Sequence, residues 1–232
     1  MMELETQNNT ATDPLYINYR NVDLYDRDKL VYEKLNFQLK KGELLYIAGS
    51  DNEIAHLILS SFYAHARLEG EFAQVLEYDL MDIDRSAVTA LRQSIGLVLN
   101  NQFLYDNLSL EENFNKFKDI IGELFAGPIQ TDSRAWLASF GLNPDSMPGD
   151  ISANERVIYS FAKALLHQPK IIFVEDQFAQ LELESQIVIM DTLIERLRAE
   201  TCSVVMVQSN SEFIERFPGM IFICNAETKT MA

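Results

Sequence analysis

Residues 49–57 read GSDNEIAHL and stand between a predicted strand and a predicted helix, where a phosphate-binding loop of the form G-x-x-x-x-G-K-[ST] would lie. Gly49 keeps the first glycine of that form. The remaining glycine, lysine and hydroxyl positions are substituted, by Asn52, Ile54, Ala55 and His56. Asp51 and Glu53 add two carboxylates where phosphate oxygens would lie. The segment therefore has the surroundings of a phosphate site and lacks its chemistry.

These substitutions remove the groups that hold phosphates and magnesium. Glycines in such a loop let backbone N–H groups wrap the phosphates, whereas the β-branched Ile54 resists a left-handed backbone. Ala55 cannot neutralise the β- and γ-phosphates as lysine does. His56 lacks the hydroxyl that ligates magnesium, and we expect no metal site at this loop.

The overall charge restricts the classes of partner. With 19 basic and 35 acidic residues, the formal net charge is −16. Nucleic acid and anionic membrane surfaces both require basic protein surface, so binding to either is disfavoured. The same charge repels a free nucleotide triphosphate unless a local positive site overrides it. A partner with basic segments is compatible with it.

Composition indicates an ordinary globular protein. The chain has 232 residues, of which 47% are hydrophobic, and no apolar run is long enough for a transmembrane helix. Residues 1–14 are polar and acidic, and we expect a disordered tail without a signal peptide. A cytoplasmic location is the expectation. Cys202 and Cys224 form no disulfide framework and are expected to be buried.

The pattern of elements predicts an α/β fold for residues 15–232. Strands and helices alternate through most of the chain, which indicates a mainly parallel sheet. Alternating residues at 16–19, 21–25 and 32–39 predict an antiparallel β subdomain at the start. Strand signals vanish over residues 101–155, where capping boxes and helical spacing predict a helical insert. A helix is predicted over residues 54–65, directly after the substituted loop.

With these positions assigned, the chain resembles an ATP-binding cassette (ABC) ATPase domain, a P-loop NTPase fold. The small ATPases of the cell-division and lipoprotein-release type are the most similar. Residues 151–176 read ISANERVIYSFAKALLHQPKIIFVED and resemble the family's signature motif, helix and Walker B strand. Residues 95–100 resemble the strand that leads to the Q-loop, and residues 104–113 the segment after it. The resemblance covers roughly residues 15–228.

The resemblance also assigns catalytic positions. Glu175 and Asp176 stand where Walker B has Asp-Glu, so the two acids remain with their lengths exchanged. The signature serine is kept as Ser152, but Ala153 and Asn154 replace the glycines after it. Positions that match the family's nucleotide site, most of them substituted, are Tyr25, Gly49, Asn52, Ala55, His56, Asn100, Ser152 and Ser209.

In the family, Tyr25 corresponds to the aromatic residue that stacks on adenine, Asn100 to the Q-loop glutamine and Ser209 to the switch histidine. The Asn100 side chain is one methylene shorter than glutamine and so reaches less far toward the magnesium position. Glu182 corresponds to the D-loop aspartate. The losses affect both halves of a site that, in the family, is shared between two subunits.

The sequence therefore predicts a catalytically degenerate ABC ATPase-like protein that needs no cofactor. The resemblance implies a role as a scaffold or regulatory subunit, peripheral to the membrane through a permease subunit or an ABC ATPase partner. In the family, a permease helix enters the groove beside the insert, where this chain has Phe103, Tyr105, Phe114 and Phe117. Most of these aromatic residues are expected in the core, and one or two in a docking patch.

Two alternatives stay open. One is a weakly active ATP-binding transport subunit that uses Mg-ATP through Tyr25, Ser152, Glu175 and Asp176. The other is a nucleotide-independent binding module whose Asp51 and Glu53 take a cation or a basic peptide.

Overall fold

The computed structural model describes residues 15–49, 51–99, 103–124, 129–176 and 181–224. The predicted tail, residues 1–14, and the Q-loop position Asn100 lie outside these ranges. None of the helices in the described ranges has the length and apolar character that a bilayer crossing requires.

A four-stranded antiparallel sheet opens the chain, as predicted. Its strands, in the order β2-β1-β4-β5, are β1 (Leu15–Asp26), β2 (Lys29–Lys40), β4 (Arg67–Val75) and β5 (Tyr78–Asp79). The two short segments predicted at 16–25 form one strand, because an irregularity at Asn21 (φ 49°) is absorbed without ending it. Gly70 makes room for it, since a Cβ there would lie 2.2 Å from the Asn21 carbonyl oxygen.

The second sheet is parallel throughout and forms the centre of the molecule. Its order is β6-β7-β8-β3-β9, with β3 (Leu44–Gly49), β6 (Ile95–Val98), β7 (Ile171–Val174), β8 (Ser203–Val207) and β9 (Met220–Cys224). Strands β7 and β8 are buried along their whole length, which explains their unbroken apolar sequences. The carboxyl ends of β3, β6, β7 and β8 meet at one edge of this sheet.

Seven helices lie in the described ranges. They are α1 (Asn52–Ser61), α2 (Arg85–Ser94), α3 (Leu110–Leu124), α4 (Ser133–Ser139), α5 (Ala153–Leu165), α6 (Leu183–Arg198) and α7 (Ser211–Arg216). Polar side chains cap the N-termini of most of these helices. Asp51 caps α1, Asp84 caps α2, and Ser152 with Glu155 forms a full capping box on α5. Helix α1 begins two residues earlier than predicted. Between β6 and β7 the described elements are all helical.

The parallel sheet separates two hydrophobic clusters. One face, including Ile47, Phe173 and Val205, packs with α1 against the antiparallel sheet. The other face, including Tyr46 and Val204, packs against α5, α6 and α7. Successive strand residues point to opposite faces, so one continuous apolar strand serves both clusters. Cys202 and Cys224 are buried free thiols, as predicted.

Candidate functional site

A cleft of about 970 Å³ lies where the family resemblance places a nucleotide. Helix α1, the β1–β2 turn and the carboxyl ends of β6 and β7 enclose it. Leu30, Val31, Leu97 and Leu99 give it apolar walls, and Asp51, His56 and Glu175 also line it. Five positions singled out from the sequence are thus brought together in one cleft of ordinary ligand-site size: Asp51, Glu53, Ile54, His56 and Glu175.

The start of α1 is bound by its own carboxylate. Oδ1 of Asp51 accepts hydrogen bonds from the backbone N–H groups of Glu53 (2.9 Å) and Ile54 (3.2 Å). These are the donors that a helix start offers to an anion. A side chain of this chain therefore occupies the place at which a phosphate oxygen would accept.

The substituted loop positions lie inside the first turn of α1. Asn52 begins the helix, and Ile54 and Ala55 are buried against the core, with Ala55 only 2% exposed. A loop that wraps phosphates with several free N–H groups is therefore replaced here by helix. His56 lies one residue further on, half-buried, and reaches the cleft wall.

Gly49 is required by packing against the neighbouring strand. A Cβ on Gly49 would lie 2.3 Å from the carbonyl oxygen of Cys224 and 2.5 Å from its Sγ. The hydroxyl of Ser209 accepts from the Gly49 N–H (3.3 Å) and donates to the Gly49 carbonyl (3.2 Å). Ser209, at the switch-histidine position, is thus hydrogen-bonded to the backbone of Gly49.

The two Walker B acids follow β7 at the edge where the strands end. Glu175 and Asp176 are both half-buried, and the Glu175 N–H donates to the Val98 carbonyl at 2.9 Å. Burial, reinforced by the negative charge of Glu175, raises the pKa of Tyr63 to about 12. The Tyr63 hydroxyl is therefore neutral at physiological pH.

Tyr25 is held within the antiparallel sheet and is not among the residues that line the cleft. The Arg67 guanidinium lies over its ring, 4.9 Å from the centroid, and its hydroxyl donates to Glu69 Oε2 at 3.1 Å. That hydrogen bond is the main cause of the raised pKa of Tyr25. One face of the ring that would stack on adenine is consequently covered by a side chain.

The signature segment is also bound within the chain. The Ser152 hydroxyl donates to Glu155 Oε2 (2.8 Å) and accepts from the Glu155 N–H (3.1 Å). Oδ1 of Asn154 accepts from the Glu182 N–H at 2.9 Å, and its Nδ2 donates to Ser185 Oγ at 3.2 Å. Glu182, the N-cap residue of α6, makes no side-chain cap hydrogen bond of its own, and Asn154 accepts from its backbone N–H instead.

Acidic groups outnumber basic groups in the cleft lining. The acids are Asp26, Asp51, Glu53 and Glu175, and the bases are Lys29 and Arg92. Arg92 donates to the carbonyls of Tyr63 (3.0 Å) and Ala64 (2.9 Å) at the end of α1. Within the described residues, no three His, Cys, Asp or Glu side chains converge as a metal site would require. The residues present do not fit Mg-ATP, whose phosphates and metal need a lysine and a hydroxyl at the loop.

Sequence reasoning placed the carboxylate of Asp51 at the phosphate position but missed its role as the cap of α1. The signal was present, since aspartate directly before a helix is a common N-cap. Nothing in the sequence indicated the Asn154–Glu182 contact or the cover on Tyr25. Of the four insert aromatics, most of which were expected in the core, only two lie there. Phe114 is fully buried and Phe117 packs partly against the core, whereas Phe103 is 74% and Tyr105 46% exposed.

Comparison with known proteins gives relatives over most of the chain, although no family model matches it. The cell division ATP-binding protein FtsE of Streptococcus pneumoniae strain D39 is 24% identical over 195 residues, which cover 83% of this chain and 84% of the relative. The lipoprotein-releasing system ATP-binding protein LolD of Koribacter versatilis is 23% identical over 192 residues, with coverage of 82% and 86%.

Solved structures agree with this architecture. The ATP-binding subunit of an ABC transporter superposes with a TM-score of 0.76 over 91% of this chain and 86% of that one, at 15% identity. The cassette MJ0796, in a dimeric post-hydrolysis state bound to ADP and Pi, superposes with a TM-score of 0.75 over 90% and 94%, at 18% identity. The predicted α/β P-loop NTPase fold is confirmed. The chain therefore has the fold of the ATP-binding cassettes of ABC transporters, and it is similar in sequence over most of its length to proteins named as ATP-binding proteins of this type.

Proposed function

We propose that this chain is a pseudo-ATPase: a cassette that neither binds nor hydrolyses ATP usefully and acts as a scaffold or regulatory subunit. The bonds from Asp51 Oδ1 to the Glu53 and Ile54 N–H groups carry the proposal. An incoming phosphate must break these bonds and then approach the displaced carboxylate. Two like charges at that distance repel each other, and Ala55 offers no cation to offset the repulsion.

Catalysis is disfavoured further by the number of lost groups. Removal of one transition-state contact to a phosphoryl group costs factors of about 10² to 10³. The lysine, the magnesium hydroxyl, the signature glycines and the switch histidine are all replaced, so no useful turnover is expected even with strong non-additivity. Ser152 and Asn154 are already bonded within the chain, which also weakens the half-site that would face a partner's nucleotide.

A role through partners follows from the family relationship. FtsE and LolD are ATP-binding proteins of cell division and lipoprotein release. By analogy we propose a membrane permease subunit, an ABC ATPase or both as partners of this chain, with a location peripheral to the inner face of the membrane. The alternative binding module based on Asp51 and Glu53 is weakened, because Asp51 is committed to α1.

Calorimetric titration with Mg-ATP at about millimolar concentration tests the proposal. We expect no saturable heat, and a micromolar Kd would refute the pseudo-ATPase assignment. The triple variant Asp51→Gly, Ala55→Lys, His56→Ser is the matched comparison. A gain of binding in this variant alone would assign the loss to these three positions.

The second candidate, a weakly active transport ATPase, is favoured by the cleft and by the two acids at the end of β7. A phosphate-release assay separates the two functions. Turnover that Asp176→Asn abolishes would support weak activity. Turnover that Asp176→Asn leaves unchanged would indicate a contaminating ATPase.

A further inference from the structure

The cleft beside α1 keeps the size and the apolar walls of a small-molecule site, although its groups for phosphate and magnesium are missing. Its volume of about 970 Å³ lies within the range of about 300–1,000 Å³ that ligand pockets usually occupy. The half-buried aliphatic side chains of Leu30, Val31, Leu97 and Leu99 belong to its lining. Such walls favour a ligand with an apolar body, because contact removes apolar surface from water.

The charges of the cleft favour a cation. Its lining holds four carboxylates and two basic side chains. Within the described residues, no salt bridge joins Asp26, Asp51 or Glu53 to a basic group. Arg92 already donates two hydrogen bonds to backbone carbonyls, and Lys29 lies in the exposed β1–β2 turn. A cleft with an excess of one charge and low-dielectric walls concentrates ligands of the opposite charge.

The hydroxyl of Tyr63 is a hydrogen-bonding group without a partner. Tyr63 lines the cleft and is only 7% exposed, yet its hydroxyl makes no hydrogen bond in the part of the chain that the structure describes. Its ring centroid lies 6.1 Å from that of Phe173 and 6.2 Å from that of His65, so packing restricts the ring. Burial and then the negative charge of Glu175 raise the pKa of Tyr63, so these two groups are close enough to interact. A largely buried hydroxyl is normally hydrogen-bonded, and a ligand can supply the missing partner.

We infer that this cleft binds a small organic cation that carries a primary ammonium group on an apolar body. The ammonium donates to the Tyr63 hydroxyl and to the Glu175 carboxylate, and the apolar body lies against the aliphatic walls. Asp51 contributes its negative charge and remains the cap of α1. The inference rests on the proposed function, which leaves the cleft without a nucleotide, and it names the class of ligand that the cleft takes instead.

Other classes of small molecule fit these groups less well. An anion meets the excess of carboxylates, and Asp51 already occupies the N–H donors at the start of α1. A neutral apolar molecule would remove the Tyr63 hydroxyl and the Glu175 carboxylate from water without replacing their hydrogen bonds. A polyamine has no compact apolar body for the aliphatic walls. An ammonium on an apolar body satisfies both the walls and the charges.

The test uses three ligands that share an indole body and differ in the end of the side chain. Tryptamine carries an ammonium, tryptophol a neutral hydroxyl and indole-3-propionate a carboxylate. Calorimetric titration of the full chain at about pH 7.5, where these charges are complete, gives the Kd values. We expect tryptamine to bind about tenfold more tightly than tryptophol, as one charge-assisted contact allows, and indole-3-propionate to show no saturable heat.

Two nearly isosteric variants locate the site. Glu175→Gln should abolish the preference for tryptamine over tryptophol, and Tyr63→Phe should weaken tryptamine about fivefold. Glu71→Gln, at an exposed position outside the cleft, is the control for net charge, and Tyr78→Phe is the control for a lost hydroxyl. Both controls should bind tryptamine as the wild type does. The ligand series needs only the wild type, so it measures the charge preference even if a variant does not fold.

Equal affinities for tryptamine and tryptophol, no saturable binding of tryptamine, or a preference that survives Glu175→Gln would each overturn the inference. Tighter binding of the peptide acetyl-Ala-Lys-Ala-amide than of tryptamine would overturn the free ligand in favour of a lysine side chain of a protein partner. Tighter binding of spermidine would overturn the apolar body in favour of a polyamine.

The inference and the proposed function can fail separately. Saturable binding of Mg-ATP with a retained preference for tryptamine would refute only the pseudo-ATPase proposal. Absence of tryptamine binding together with absence of ATP binding would refute only the cation site.

Discussion

Asn154 joins the start of α5 to the start of α6: its Oδ1 accepts from the Glu182 N–H at 2.9 Å, across 28 positions of sequence. The family resemblance places a signature glycine at position 154 and a D-loop aspartate at position 182. In this chain the two positions are joined through a side chain that glycine cannot supply. A segment assigned to nucleotide contacts thus serves the packing of its own subunit.

Replacing Asn154 tests that role. Asn154→Ala removes the hydrogen bonds to Glu182 and Ser185 and leaves the backbone N–H of Glu182, at the start of α6, without this acceptor. We expect the free energy of unfolding to fall by about 1 kcal/mol, the typical worth of a cap. Urea denaturation measures it, and Asn107→Ala, at an exposed position, is the matched control. An equal effect in both variants would contradict a capping role.

The cap at Asp51 predicts a graded series. Asp51→Ala should lower the free energy of unfolding by about 1 kcal/mol, because two N–H donors of α1 lose their acceptor. Asp51→Asn should lower it much less, since asparagine caps helices about as well as aspartate does. The same denaturation experiment compares the two variants. If Asn is as damaging as Ala, the charge of Asp51 matters more than its hydrogen bonds.

His167 predicts a pH dependence of stability. Burial lowers the pKa of its imidazole, and the hydrogen bond with the Ile95 carbonyl offsets this only in part. The unfolded chain therefore binds the proton more readily than the folded chain. Its contribution is complete above the unfolded pKa of about 6.5 and is lost as the pH falls toward the lower folded pKa.

Denaturation of the wild type and of His167→Gln at about pH 7.5 and pH 5.5 checks this sign. The variant should lose less stability than the wild type between these two conditions. His65, which is exposed, gives the matched control, and His65→Gln should follow the wild type. A parallel loss in all three proteins would assign the pH effect to other groups.

Lys163 is predicted to lower the stability of the folded protein, because it carries a charge in a largely buried position. Lys163→Met keeps the length of the side chain and removes a charge that is disfavoured by burial, so the free energy of unfolding should rise by about 1 kcal/mol. The contact with the Phe117 ring offsets part of this gain. Thermal and urea denaturation give the result. Destabilisation by Lys163→Met would show that its contact with the Phe117 ring outweighs the cost of its buried charge.

Much of the architecture could be predicted because the spacing of apolar residues along the chain differs between strands and helices. The antiparallel start, the alternation of strands and helices and the helical insert all follow from this spacing. The single strand β1 was predicted as two segments, because its irregularity at Asn21 depends on Gly70 in a different strand.

The site itself was less accessible to sequence reasoning. Which groups are missing could be stated from residue types alone, as for Ala55 and His56. The side chains that take the place of the missing groups could not be predicted, because their contacts form only when segments distant in sequence pack together. The contact of the Arg67 guanidinium with the Tyr25 ring and the hydrogen bond between Asn154 and Glu182 are examples.

The contact between Gly49 and Cys224 changes how genetic experiments on this chain should be interpreted. In an intact phosphate-binding loop, a defect caused by replacing the first glycine is naturally ascribed to lost nucleotide chemistry. Here even a methyl group at position 49 collides with the backbone of β9. A loss-of-function phenotype from Gly49→Ala would report damage to the central sheet, and the abundance of the protein in cells is the quantity to measure beside it.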